Sequence, residues 1–304
     1  MTMKNKWNTL ISEFGRIMRA IGKGLLNFCG MIYGNKKAFV GAIILLVFLF
    51  LALFGRAIFP YDDRTSFADM YKTPSAEHWL GTDGMGRDLF RMIVHGTQDV
   101  MSIALMTAMM TVGIGVIVGI VSGYASSWVD RIIGVVINVI MSLPTFPILL
   151  ILSMFVTIKD NFTLAVILSV LSWAGLARSV RSQIISLRER DFIQICGVMG
   201  LSKGHILFSE LLPNILSFVA INFITSMKNA ITSSVGMMTL GLALFEPTNW
   251  GGIMINARNS GAFAIPAARM SIIAPILTIM LFQIGAILFS NGLDEAFNPR
   301  LRKN

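Results

Sequence analysis

The sequence predicts an all-α integral membrane protein with six transmembrane helices and an amphipathic segment before them. Three observations carry that reading. Of 304 residues, 55% are hydrophobic and 13% charged, about half the charged share of a soluble domain. The charges are gathered between long uncharged runs, and mean hydropathy is +0.72. The runs also have the length that a ~30 Å hydrocarbon core asks of a helix, ~20 residues. So apolar a chain cannot remain disordered in water. Its net charge of +9 is dispersed between the runs, which argues against a nucleic-acid partner. Two cysteines, Cys29 and Cys196, are too few for a disulfide scaffold.

The uncharged runs 38–55, 100–129, 132–158, 161–177 and 270–293 predict spans at 38–58, 102–124, 132–156, 161–177 and 271–291. Runs 211–227 and 229–245 are parted only by Lys228. Together they are too long for one span and too rich in Ser, Thr, Asn and Gly for two. They predict one helix at 215–238 and then a hydrophobic, partly re-entrant stretch.

No cleavable leader is expected, because the run after the basic residues 1–37 has full spanning length and no small-residue cleavage site. Within 7–25, Trp7, Leu10, Ile11, Phe14, Met18, Ile21 and Leu25 recur at helical spacing among Arg16, Arg19 and Lys23, just after Lys6. This reads as an amphipathic helix, lying on the membrane or packed on the rest of the protein. Lys and Arg number 16 in segments 1–37, 125–131, 178–214 and 292–304, against 7 in 59–101, 157–160 and 239–270. That excess places both termini in the cytoplasm.

Within the predicted spans there is no Asp or Glu, which weighs against a proton-coupled carrier. Lys228 is the one deep charge. It either snorkels to the outer interface or lines a polar path with Asn222, Ser226, Asn229, Thr232 and Ser233. Gly115, Gly119 and Gly123, four residues apart, make a stripe for close helix packing. Pro144 and Pro147 are expected to bend the third span, and Pro275 the sixth.

No catalytic or metal-binding pattern is present. The outer stretch Leu80–Asp88 (LGTDGMGRD) lacks the spacing of a phosphate loop and reads as a turn held by Asp83, Arg87 and Asp88. The inner loop 178–214 reads as a short helix, a turn from Gly200 to Gly204, and a second helix stopping before Pro213. On the first helix, after Asp191, the residues Phe192, Ile195, Cys196 and Met199 make an apolar stripe that suits a partner's groove.

Gly200, Leu212 and Pro213 of this loop resemble the pattern of the loop by which binding-protein-dependent ABC importer permeases meet their ATPases. Gln194–Ile195–Cys196 replaces the usual Glu-Ala-Ala. LGTDGMGRD, Trp128–Asp130, Met141–Pro144, Trp173–Arg181, Leu187–Glu189, Asn249–Gly251 and Gly292–Leu301 resemble the peptide/nickel subfamily, and within it the shorter, C-type permease.

The resemblance implies a type-I (MetI-like) importer core at 102–291 with coupling loop 178–214. An added first span at 38–58, an extracytoplasmic segment at 59–101 and a cytoplasmic tail at 292–304 complete the chain. It further implies a bacterial inner-membrane complex with a B-type permease, two ATP-binding subunits and an extracytoplasmic solute-binding protein. This chain would have no catalytic residue and no bound cofactor, ATP and Mg residing on the ATPases. Peptides are the implied cargo, with nickel or a metal chelate as the alternative. A channel or an ion-coupled carrier without an ATPase is the rival class.

Overall fold

The computed structural model describes residues 30, 32–243 and 246–297. The predicted amphipathic helix at 7–25 and the end of the tail lie outside the described residues. The helices follow in order: α1 Lys36–Ile58, α2 Leu89–Tyr124, α3 Ser127–Ser142, α4 Thr145–Phe155, α5 Asn161–Arg188 and, after a short α6 at Asp191–Val198, α7 Leu212–Thr239. A short helix α8 at Trp250–Asn259 precedes the last span, α9 Met270–Phe297. Five helices are long and apolar enough to cross a membrane, and α3 with α4 counts as a sixth, broken span. Among the described residues the only β feature is an isolated bridge between Thr82 and Asp88. The six-span, all-α reading therefore stands.

Several boundaries differ from the sequence reading, each for a physical reason. α2 starts at Leu89, well before the uncharged run, because Asp88 accepts from the N–H of Arg91 at 2.9 Å and caps it there. A carboxylate therefore does lie inside a spanning helix. Asp99 is 8% exposed, and it is held by Arg56 of α1 at 2.8 Å and Asn161 of α5 at 3.1 Å. Pairing is what makes a charge tolerable there.

Pro213 does not stop a helix either. Residues Ile206–Leu211 form a π-helical turn that runs directly into α7. The N–H of Leu212 reaches back five residues to the carbonyl of Leu207. A wider turn just before Pro213 relieves the clash its ring would make with a regular α-helix. In the third span the break falls at Leu143–Pro144, where α3 and α4 meet at 87°, while Pro147 sits in the first turn of α4, where a missing N–H costs nothing. Pro275 lies inside α9. The hydrophobic stretch expected after α7 contains a further short helix. It is α8, whose Trp250 is fully buried and donates its indole N–H to the carbonyl of Ile93 at 3.1 Å.

Helix packing follows from small residues. A Cβ placed on Gly119 would stand 2.7 Å from the carbonyl oxygen of Ala177 and from Val180, one on Gly115 3.0 Å from Leu176, and one on Gly123 2.8 Å from Ile184. α2 and α5 are thus in backbone contact along the stripe that the sequence marked. Glycines also join the first span to the last. Gly41 abuts the backbone of Phe289, Gly292 abuts that of Ala38, and Lys37 reaches Glu295 at 2.5 Å.

One end of the bundle gathers the C-terminus of α1 and the N-termini of α2 and α5. There a core of Phe48, Trp250 and Phe282 stacks edge to face, with centroids 5.9 and 5.3 Å apart. At the opposite end a second cluster of Ile184, Leu187, Ile193, Ile206 and Leu211 closes the bundle.

The segment 59–88 folds as a cap on the first end. Arg87, 6% exposed, donates to Asp83 through Nε at 2.9 Å and Nη2 at 2.7 Å. Asp83 also accepts from the backbone N–H groups of Met85 and Arg87, each at 2.9 Å. Burial, with the bond that it donates to Asp63, pushes the Tyr61 phenol above its usual range. Lys72, bonded to the carboxylate of Asp69, holds that half-buried acid below the usual range.

Two measurements check this packing. Gly119→Leu is expected to lower the thermal-aggregation midpoint of the detergent-solubilised protein. Overpacking of this kind costs ~1–3 kcal/mol. Gly113→Leu should not lower it, since nothing lies within 4 Å of a Cβ there; equal midpoints for the two variants would refute the contact. Removing one member of a buried ion pair costs about 3 kcal/mol or more, so Arg87→Met should open residues 59–88 to limited proteolysis. Wild-type resistance would show that the pair does not hold the cap.

Candidate functional site

Two sites emerge, a cavity between helices and a helical foot at the end of the bundle away from the cap. The cavity has a volume of about 490 Å³. Its α7 wall contains Ser226, Asn229, Thr232 and Ser233, four of the six residues that the sequence placed on a polar path. They share a face because spacings of three and four residues stack side chains on one side of a helix.

Asn222 and Lys228 are not among the lining residues. Asn222 donates back to the carbonyl of Phe218 at 2.9 Å. Lys228 lies on the margin of the polar face, about 100° round the helix from Asn229. Its carbonyl accepts from the Thr232 hydroxyl at 3.1 Å. Thr232 in turn accepts from Gln283 of α9 at 2.6 Å.

The other walls were missed from sequence. α2 supplies Thr107 and Thr111, α4 supplies Thr145, and α5 supplies Ser172 and Gly175. Thr107 and Thr111 extend the Gly115–Gly119–Gly123 series at the same four-residue step. That continuity was a readable sign that the stripe faces protein throughout. Among the described residues no charged side chain lines the cavity. Thr145, Ser172, Asn229 and Thr232 are exposed, so the cavity is a groove open on one side of the chain.

The foot is α6. Ile193 is 4% exposed and sits in the terminal cluster with Leu187, Ile206 and Leu211, so the helix is seated on the ends of α5 and α7. Its other face is apolar and uncovered. Phe192 is 38% exposed, Ile195 55%, Val198 90% and Met199 71%. Cys196, predicted on the outer stripe, instead leans on the inner cluster, and Val198 joins the stripe in its place. The helix starts at Asp191.

Gly200 ends α6 with φ of +75°. The N–H of Leu201 then bonds the carbonyl of Cys196 at 3.2 Å, closing the turn that a left-handed residue makes possible. Pro213 lies beyond the π-helical turn, at the start of α7, outside the short helix itself.

A second polar cavity of about 500 Å³ lies between α3 and α5. Arg181 pairs with Asp130 there at 2.5 and 2.6 Å, Ser122 donates to the same carboxylate at 2.7 Å, and Arg178 donates to Asn138.

With this geometry in view, comparison with known proteins gives a consistent result. Residues 115–303 match the family model described as binding-protein-dependent transport system inner membrane component. Residues 32–74 match the N-terminal TM domain of oligopeptide transport permease C. A putative peptide permease protein of Brucella suis is 30% identical over 271 residues, covering 89% of each chain. The dipeptide transport system permease protein DppC of Alkalihalophilus pseudofirmus is 29% identical, with 88% of this chain and 87% of the relative covered. The oligopeptide transport system permease protein OppC of Bacillus subtilis is 28% identical at the same coverage.

Proposed function

The chain belongs to the family of binding-protein-dependent transport system inner membrane components, and from that premise we propose that it is one permease subunit of an ATP-driven peptide importer, contributing half of the translocation pore. The observation that carries this reading is α6, a short helix with an uncovered apolar face, seated on the membrane bundle and closed by Gly200. A soluble ATPase with a groove for that face completes it. Relatives named as dipeptide and oligopeptide permeases support peptides as cargo, and the uncharged groove of hydroxyl groups suits main chain of any side-chain composition.

The complex takes a second, B-type permease across the open side of the groove, two ATP-binding subunits against α6, and an extracytoplasmic binding protein that delivers cargo at the capped end. Both termini face the cytoplasm, consistent with the Lys/Arg excess on that side. ATP is hydrolysed on the partner subunits.

The path of force is short. Closure of the ATPases moves α6. Ile193 passes the motion to Leu187 of α5 and to Ile206 and Leu211 ahead of α7. Those two helices carry Ser172 and the Ser226–Ser233 wall, so the groove changes shape as α6 moves. Packed interiors transmit displacement rather than absorb it.

Two experiments test the reading. Met199→Asp places a charge on a side chain that is 71% exposed in this chain, so insertion and folding should stay intact. In a docked interface an unpaired buried charge costs several kcal/mol, about a hundredfold or more in affinity. Pull-down of the ATPase subunits and peptide uptake should both collapse; wild-type values for both would exclude α6 as the foot. In a background without Cys29 and Cys196, Met85→Cys should react with a membrane-impermeant thiol reagent in intact cells and His205→Cys should not. The reverse pattern would invert the proposed orientation.

A further inference from the structure

We propose that the cavity at the α3–α4 break is a way station that holds the C-terminal carboxylate of a peptide in transit. The proposal rests on the peptide-import reading and adds where, and by which end, the cargo is held.

Depth comes first. Thr107 lies about 27 Å along α2, half its length, and Ser172 about 17 Å into α5, at 1.5 Å per residue. The cavity is therefore near the middle of the bilayer. The broken span opens there, and Thr145, the first residue of α4, lines the cavity.

The start of α4 is uncapped. Pro144 occupies the N-cap position and makes no side-chain cap bond. The first internal bond runs from the N–H of Ile148 to the carbonyl of Pro144. The N–H groups of Thr145 and Phe146 have no protein acceptor among the described residues, and Pro147 has none to offer. An eleven-residue helix thus presents its positive end at mid-membrane, where an anion is favoured and a cation is not.

The second observation is independent of that helix. Thr107 and Thr111 of α2 are 2% and 3% exposed, both line this cavity, and both hydroxyl groups lack a hydrogen-bond partner. Two unsatisfied buried hydroxyls in one cavity call for a ligand that supplies the missing partner. Gly175 faces them from α5, with nothing within 4 Å of where a Cβ would stand, so the main chain of a ligand can approach that wall.

The chemistry selects one end of a peptide. Hydroxyl groups and helix N–H groups offer hydrogens to a carboxylate. An α-ammonium would face the positive helix end with no acid in the lining to offset it. The carboxylate is also common to peptides of every sequence. Neutral donors suit a transit site better than an arginine would, since the cargo must leave as readily as it enters.

The test uses the complete transporter in proteoliposomes, with both permeases, the ATPases and the binding protein, supplied with alanine peptides of two to five residues. Thr107→Val/Thr111→Val should reduce uptake at least about tenfold, which the loss of even one hydrogen bond to a charge would cost. Assembly and binding-protein-stimulated ATP hydrolysis should be kept. Thr107→Ser/Thr111→Ser, which retains the hydroxyls, should stay within about twofold of wild type.

A tripeptide with photoreactive benzoylphenylalanine at its C-terminal residue should label α2 or α4, and one with the probe at its N-terminal residue should not. Wild-type uptake by the valine pair overturns the proposal. So does a serine pair as impaired as the valine pair, which would assign the threonines to packing, and so does labelling by the N-terminal probe or by neither. A wild-type complex that imports none of the peptides would instead sink the import reading on which the proposal stands.

Discussion

The contact between α2 and α5 is the constraint on which the rest of this membrane protein depends. Lipid tails are as apolar as leucine, so spanning helices gain little from hiding hydrophobic surface against each other and must gain from close packing. Gly115, Gly119 and Gly123 allow α2 to approach the backbone of α5 at Ala177 and Arg181. Everything at either end is positioned by that approach. Toward the middle it sets Thr107 and Thr111 in one cavity wall with Ser172 and Gly175. Toward the end away from the cap it fixes Ile184 and Leu187 as the floor on which α6 rests. At the other end it brings Asp99 to Asn161.

The two candidate sites are therefore parts of one mechanical unit. α5 touches both the foot and the groove, and α7 does the same through the π-helical turn at Ile206–Leu211. That turn is the irregular place within the helix that leads from foot to groove. A π turn has longer-range bonds and a wider bore than the helix it interrupts, so it can convert to regular α-helix with a change of register. It lies where a displacement of α6 would first arrive.

Much of this was legible in the sequence. The number of spans could be read because charge is so costly in lipid that uncharged runs mark the helices almost directly. LGTDGMGRD was legible as a capped turn because Asp and Arg four residues apart, beside glycine, have few other stable arrangements; Asp83, Arg87 and Asp88 do what that reading asked of them. Gly200 was legible because only glycine ends a helix this way at little cost.

The misread boundaries share one cause. Asp99 and the start of α2 were assigned by charge alone, and a single sequence does not reveal that Arg56, from another helix, neutralises the acid. Pro213 was read as a stop because a local rule cannot see a widened turn. The cavity walls at Thr107, Thr111, Thr145 and Ser172 were missed for a different reason. A threonine in an uncharged run looks the same whether it meets lipid, its own backbone or a cavity.

The glycine contacts between α1 and α9 make the first span a neighbour of the last. Gly41 is fitted to the backbone of Phe289, Ala38 to Gly292, and Lys37 to Glu295. During synthesis the chain emerges from its N-terminus, so α1 enters the bilayer while its future neighbour is still unmade. The face carrying Ala38 and Gly41 remains against lipid until about two hundred and fifty further residues have been added. Docking of the last span is then the event that closes the ring. A chain truncated before α9 would leave α1 attached to α2 through Gly55 and the Arg56–Asp99 pair and to α8 through Phe48 on Trp250, with its largest interface open to the quality-control proteases of the membrane.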